Sequence, residues 1–456
     1  MWIGRRDHVN KLADYLTTPQ DDEHRIRILS MAGPGGSGKS HLFQHTYEDK
    51  ECRAKFADRK YLRLTVTATE CYPTLANLLT IELVKSCQQR GNDKTRITFD
   101  NLTKCSQTLS KMNAIAQEQV KESMAKANVS DPLIDALIQL GVFGIELYTN
   151  AAVAQSIQKF VKSRPELIDS AIGYFKKYAD IFSKETFFER ELTTRLRKDI
   201  GTALAESLVK DVETALNHEP GIDPHLSNLL LVFDNFERYV DIIDTFIFQN
   251  LVPALRRSNF YTTIVVLGRD PFETSSTYII GVGSKVLSGV FDSSQELHLT
   301  EFDEEEADSF LEQRGIKDKS EREKICKEFG RYPYILNAVA SLSPGGMSAQ
   351  ANRAFFIRTC YWLTPQQQDW IRTLAFLDKV EVGTIKKMLP SEDAKKVYTW
   401  FVEEKSLKDP SPGPFMVNKL LRRCIMTDIK NEEESLYNKL RSRAKEAMQI
   451  LTADKE

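Results

Sequence analysis

Residues 25–40 read Arg-Ile-Arg-Ile-Leu-Ser-Met-Ala-Gly-Pro-Gly-Gly-Ser-Gly-Lys-Ser, and this stretch decides the fold. Arg25 to Ala32 alternates polar with apolar and then turns apolar, the pattern of a strand entering a sheet. Gly33-Pro34-Gly35-Gly36-Ser37-Gly38-Lys39-Ser40 follows at once, and Ser40 to Tyr47 reads as the helix that this loop opens. Strand, Gly-x-x-x-x-Gly-Lys-Ser and helix together make a phosphate-binding loop. Successive backbone N–H groups are expected to point inward around a β-phosphate, with the positive end of the helix behind them. Glycines are needed because side chains would block that approach. Lys39 is expected to reach the β- and γ-phosphates and Ser40 to hold Mg2+, with His41 next to them at the helix start. A glycine-rich turn with an incidental Lys-Ser is the alternative, and the flanking strand and helix argue against it.

Outward from the loop, Lys60 to Thr67 is a second strand. Leu229 to Phe233 is a third, wholly apolar and so expected to be central. Thr262 to Leu267 is a fourth, and Glu296 to Leu299 a short fifth. Residues from about 74 to 217 are helical nearly throughout, with a polar turn near Gly91-Asn92-Asp93. Strands separated by helical segments predict a three-layer α/β fold with a mostly parallel sheet.

A phosphate-binding loop needs an acid at the end of a neighbouring strand to position magnesium. Asp234, closing Leu229 to Phe233, supplies it. Glu237 lies three residues on, as a general base toward an attacking water or as a plain surface carboxylate. Arg269 directly follows the fourth strand. It is placed to sense or stabilise a γ-phosphate, or it forms a structural salt bridge with Asp270 or Asp292.

After Leu299 the composition changes. Glu301 to Gln313 and Ser320 to Leu342 read as helices of a small helical domain. Thr364-Pro365-Gln366-Gln367 is a helix start with an N-cap, a first-turn Pro and a capping-box Gln. Helical segments near 365–377, 383–389 and 391–404 precede the turn Asp409-Pro410-Ser411-Pro412-Gly413-Pro414 and Phe415-Met416-Val417, the outline of a winged helix. Glu432 to Leu451 is a charged amphipathic helix. The expected boundaries are a nucleotide-binding domain over 1–300 with a helical insertion at about 74–217, a helical domain over 301–350, a winged-helix domain over 351–430 and a terminal helix over 431–456.

A net charge of −2 gives no global drive toward nucleic acid or anionic lipid. Seven scattered cysteines, odd in number and without a C-x-x-C, read as reduced thiols of a cytoplasmic protein. The N-terminus has no apolar signal core. The most apolar stretch, 133–154, is interrupted by Asp135, Gln139, Glu146 and Asn150, so no membrane span is expected.

Trp2-Ile3-Gly4-Arg5-Arg6-Asp7 resembles the hydrophobic-Gly-Arg-acid motif of STAND ATPases, the signal-transduction branch of AAA+ that includes NACHT proteins. That resemblance implies Ile3 and Arg5 at the adenine. Asp234-Asn235-Phe236-Glu237 is similar to the NACHT-type second motif, although Asn235 is bulkier than usual there. Gly268-Arg269-Asp270-Pro271 matches the sensor-1 segment through its arginine and proline. Gly330-Arg331-Tyr332-Pro333 resembles the Gly-x-Pro motif with one extra residue, which implies Pro333 against the adenine. Asn418 occupies the place of the histidine that touches the ADP β-phosphate in resting members; as an amide it can donate but not charge. The resemblance covers roughly residues 1–90 and 225–430 and implies ATP or ADP with Mg2+. It further implies self-association with ATP, and partner proteins that supply sensing or output.

Two function classes stand out. One is a regulatory switch that assembles on ATP binding and resets on hydrolysis. The other is a DNA-handling AAA+ ATPase that uses a winged helix on duplex. The expected recognition helix, 393–405, balances Lys395, Lys396 and Lys405 against Asp393, Glu403 and Glu404, which does not favour DNA. A metabolic kinase fits neither the winged helix nor Glu237. The insertion reads as an elaborated lid or, preferably, a partner-docking surface.

Overall fold

The computed structural model describes residues 4–18, 20, 25–55, 60–67, 75–88, 97–110, 200–217, 227–272, 290–291, 295–341, 353, 355–357, 359–360, 363–404, 407–409 and 415–453. Ile3, the apolar stretch at 133–154, most of the helical insertion, Asp292 and the 410–414 turn lie outside the described residues.

Strands β1 (Ile26–Ala32), β2 (Lys60–Thr67), β3 (Ser227–Asp234), β4 (Tyr261–Gly268) and β5 (Leu297–His298) form one sheet in the order β2-β3-β4-β1-β5. The β1–β5, β2–β3 and β3–β4 ladders are parallel, and the chain has a three-layer α/β P-loop fold. Leu229 to Phe233 is buried at every position, as a strand paired on both sides requires. The sequence places β3 at the centre; it is interior, but β4 is the middle strand of the five.

Edge strand β2 buries Leu62, Leu64 and Val66 in alternation. Its open N–H groups are covered by helix α4 (Leu75–Gln88; α1 is Arg6–Thr17, α2 Lys39–Glu48 and α3 Lys50–Lys55). Thr65 N–H donates to Ser86 Oγ at 2.9 Å and Thr67 N–H to Glu82 Oε2 at 3.0 Å, which closes the edge to another chain. Helix α5, residues 100–110, packs with α6 (Ile200–Asn217) through Asp211. Its buried carboxylate accepts from Asn101 N at 3.0 Å, Asn101 Nδ2 at 2.6 Å and Leu102 N at 2.9 Å, capping α5 from far along the chain.

The chain divides into two compact units. One comprises Leu16–Ser30 and Lys50–Glu296; the other comprises Met1–Tyr15, Met31–Asp49 and Leu297–Glu456. In the second, Asp303 opens helix α7 (Glu304–Gln313) with a capping box closed by Glu306, so this helix starts three residues later than the composition suggests. The expected helix over 320–342 is two helices, α8 (Lys319–Phe329) and α9 (Pro333–Ala340). Gly330, at φ 76°, ends the first, and Pro333 sits in the first turn of the second. Thr364 and Gln367 form the expected capping box of α10 (Pro365–Leu374). Helices α11 (Val382–Met388) and α12 (Ala394–Glu403) follow, the latter capped by Asp393. An antiparallel bridge joins Lys408 to Val417, and α13 (Lys419–Glu432) and α14 (Glu434–Ala453) complete one apolar cluster running from Phe302 to Ala447. Of this last pair only the second helix is anticipated by the sequence.

Cys52, Cys105, Cys326, Cys360 and Cys424 are free thiols, and burial pushes Cys424 up to about 12, far from reactive. No described helix is long and apolar enough to cross a membrane.

Asp211→Ala strands three donors, two of them backbone N–H groups of α5. Chemical denaturation is expected to show a loss of about 2–3 kcal/mol, and an unchanged midpoint would show that the contact carries no stability.

Candidate nucleotide-binding site

Strand β1 is buried from Ile28 to Ala32 and delivers the chain into the glycine loop. Leu299 N–H donates to Ala32 O at 2.7 Å, which brings the segment after β5 alongside Gly33. A Cβ on Gly33 would run into the Leu299 carbonyl oxygen. Gly36 and Gly38 take φ +82° and +94°, the left-handed region that glycine enters without penalty. Lys39 leads α2, and its Nζ donates to the carbonyls of Gly33 at 2.5 Å and Pro34 at 3.2 Å. The ammonium is thus held on the loop that it is expected to serve. Ser37 N–H donates to Pro34 O at 3.1 Å, so this N–H closes the loop on itself and does not follow the expected all-inward arrangement. Gly35 and Pro34 are half-buried, while Ser40 and His41 are exposed at the first turn of α2.

Helix α9 meets the loop at its own start. Tyr334 N–H donates to Gly36 O at 3.3 Å, a Cβ on Gly36 would stand 2.9 Å from Tyr334 Cβ, and one on Gly38 would lie 4.0 Å from Pro333 Cγ. Pro333 is therefore beside the glycine loop. Tyr334, which the sequence reading passes over, is nearer still.

Arg5 adopts φ 56°, in the left-handed region where an arginine is strained. It is 7% exposed. Its backbone N–H donates to Glu306 Oε1, its Nη2 to Thr300 O at 2.5 Å, and its guanidinium lies 5.2 Å from the centre of the Phe302 ring. Burial lowers its pKa to about 10, against the raising influence of Glu306 and Tyr332, and leaves it charged near neutral pH. Its Nη1 is buried with no protein partner. A strained, buried cation with an unspent donor suits an acceptor on a bound base. Glu306 does two jobs: one oxygen holds the Arg5 backbone, and the other accepts from Asp303 N at 3.1 Å. The Asp303-x-x-Glu306 spacing is the one sequence signal that could have singled it out.

In the other unit, β3 ends on Asp234, whose Oδ1 accepts from Asn235 N at 2.9 Å. Asn235 is left-handed at φ 57°, a region asparagine enters more readily than most residues, and it opens a single 3-10 turn, Phe236–Arg238. Phe236 is buried and anchors that turn. The Tyr239 hydroxyl lies 3.1 Å from Val66 O and 3.0 Å from Asp234 O, tying the ends of β2 and β3 together. Burial, reinforced by the negative charges of Asp234, Glu237 and Glu82, raises the Tyr239 pKa well above its ordinary value and keeps the hydroxyl protonated. Arg269, just past β4, donates from Nε to Glu237 Oε1 at 2.7 Å. Arg269 thus pairs with Glu237, a partner that the sequence reading does not consider. Glu237 Oε2 is buried without a protein partner.

Asn418 is the N-cap of α13: its Oδ1 accepts from Leu421 N at 3.2 Å, and its own N–H donates to Leu407 O at 2.8 Å. That gives it a structural duty that the resemblance does not require. The residues present suit a nucleoside triphosphate with Mg2+. The glycine loop's unit offers a side-chain-free cradle with Lys39 on its rim, and the other unit, taken by itself, offers a carboxylate at the end of β3.

No family model matches the chain, and no curated protein matches it. Among solved structures it is similar to a Walker-type ATPase of Pyrococcus abyssi, at 13% identity over 93% of this chain and 95% of that one, with a TM-score of 0.43. It is also similar to a STAND protein with a tetratricopeptide repeat sensor from Pyrococcus horikoshii, at 10% identity over 100% of this chain and 46% of that one, with a TM-score of 0.27. At those TM-scores the likenesses carry no functional weight, and the site rests on its own residues.

Lys39→Ala removes the loop's only lysine and is expected to abolish tight ATP binding in a fluorescence titration; unchanged affinity would remove the phosphate-site assignment. Gly36→Ala adds left-handed strain and a clash with Tyr334. Gly315→Ala, at φ +99° with open space around it, adds strain alone. Nucleotide affinity is expected to fall by about tenfold or more in the first and to hold in the second. Equal behaviour of the two would show that the Gly36–Tyr334 approach is immaterial.

Proposed function

We propose that this chain is a slow, regulatory ATPase, a molecular switch of the STAND kind that binds ATP or ADP with Mg2+. The observation that carries this reading is the approach of the glycine loop to the start of α9 through Gly36 and Tyr334. A loop that holds phosphates while touching a second helical module makes the position of that module depend on the phosphate count.

In this reading Lys39 exchanges the Gly33 and Pro34 carbonyls for the β- and γ-phosphates. Ser40 and Asp234 would hold Mg2+, which when bound would supply charge neutralisation to the phosphates. Glu237 accepts a proton from the attacking water at Oε2, the oxygen without a protein partner. The water oxygen bonds to the γ-phosphorus as the bond from that phosphorus to the bridging oxygen breaks, so ADP and phosphate leave. Arg5, with Ile3 and Pro333, receives the adenine, and Asn418 contributes its amide near the phosphates of the resting form.

The sheet domain over 1–300, the helical domain over 301–350, the winged-helix domain over 351–430 and the terminal helix over 431–456 are the bodies whose arrangement would change. ATP then exposes faces that pair head to tail with further copies, as identical ATPase subunits do when they complete a site. A partner protein supplies sensing or output.

Glu237→Gln is expected to keep nucleotide affinity and to slow hydrolysis on the order of 10²-fold or more. In light scattering the same variant is expected to stay small with ADP and grow with ATP. A particle that stays monomeric with every nucleotide would sink the switch, and growth only on duplex DNA would favour a DNA-handling ATPase.

A further inference from the structure

The Arg269–Glu237 pair has a geometry that neither a γ-phosphate sensor nor a stabilising salt bridge accounts for. Both side chains are largely out of water, at 5% and 18% exposure. An ion pair so placed stabilises little more than a well-packed apolar pair would, because the desolvation of both charges offsets their attraction. Its specific property is directional. Arg269 is buried and its backbone directly follows the buried end of β4 at Gly268, so the sheet places it. Glu237 sits on a one-turn helix clamped by buried Phe236 and by the Tyr239 hydroxyl. One short contact, Nε to Oε1 at 2.7 Å, therefore settles which carboxylate oxygen is engaged and which is left over. The oxygen left over, Oε2, is buried and has no protein donor. A buried carboxylate oxygen in that condition needs a donor from outside the chain, and water is the smallest that fits.

We infer that Arg269 is a positioning residue that acts through Glu237, fixing the carboxylate so that Oε2 alone faces the water that attacks. This rests on the reading of Glu237 as the base and adds what aims it. The guanidinium suits the task better than an ammonium would, because Nε lies in a planar fork whose direction is set by the chain. A lysine would bring the charge without the direction.

The test compares wild type with Arg269→Ala, Arg269→Lys, Glu237→Gln and the double variant Glu237→Gln/Arg269→Ala. Single-turnover ATP hydrolysis and separate ATP and ADP affinities are measured on the full chain. Loss of aim is expected to cost Arg269→Ala about 10- to 100-fold in turnover, with KM and the ATP-to-ADP affinity ratio unchanged. Arg269→Lys, the variant that keeps the buried charge paired if the alanine protein does not fold, is expected to keep wild-type affinity and stability but to be as slow as Arg269→Ala. The double variant is expected to be no slower than Glu237→Gln alone, since there is no base left to aim. A selective loss of ATP affinity, full rescue by lysine, or a further slowing in the double variant would each overturn the inference. Wild-type turnover in Glu237→Gln would sink the base assignment, and this inference with it. A slow Glu237→Gln beside a normal Arg269→Ala would sink this inference alone.

Discussion

Around Gly33 to Gly38, backbone lies where side chains would otherwise be, and much of the unit that contains the loop is arranged to respect that exclusion. The Leu299 carbonyl stands against Gly33 because β5, only two residues long, pairs with the end of β1. The same segment continues to Thr300, whose carbonyl accepts from Arg5. It then reaches Phe302, which lies under the Arg5 guanidinium and whose N–H donates to Arg331 O at 3.0 Å. Arg331 in turn precedes the Tyr332–Tyr334 entry into α9, which approaches Gly36. Chain continuity, hydrogen bonds and the Arg5–Phe302 contact thus link the loop, the Gly-Arg segment and the start of α9.

What could be read in advance was local. The alternation in β2, the apolar run of β3, the loop glycines, Asp234 at a strand end and the Thr364 capping box are all short-range patterns, and each stands where its residues indicate. The bends were less legible: Gly330 divides what composition alone presents as one helix. Contacts between distant segments were not legible. The Arg269–Glu237 pair joins residues 32 apart, and only the tight turn after Asn235 presents Glu237 to the arginine. Tyr334 carries no motif of its own and Glu306 only a capping-box spacing, so neither could be tied to the loop or to Arg5 before the remote segment was seen to return there. Asn418 was noticed only through the resemblance; its capping of α13 was not read from the sequence.

Two of the several buried polar atoms without a hydrogen-bond partner among the described residues belong to the candidate site residues. Arg5 Nη1 is a donor and Glu237 Oε2 is an acceptor. Protein interiors seldom tolerate such atoms, because an unmade hydrogen bond costs more than a made one contributes. Both occur on side chains whose other atoms are firmly engaged, and both sit next to a non-glycine residue at positive φ: Arg5 itself, and Asn235 two positions before Glu237. Strain and unmet hydrogen bonding coincide at the places where the chain is read as meeting its ligand and its water.

The unit that holds the glycine loop is gathered from three separated stretches, Met1–Tyr15, Met31–Asp49 and Leu297–Glu456, with the other unit threaded between them. During synthesis the loop leaves the ribosome long before Leu299, Glu306 and Tyr334 exist to surround it. Domains tend to fold in order as they emerge, N-terminal portions first. Here the inserted unit can complete itself while the phosphate loop remains without its cover. Until Tyr334 has emerged, the loop lacks the residues that close around it.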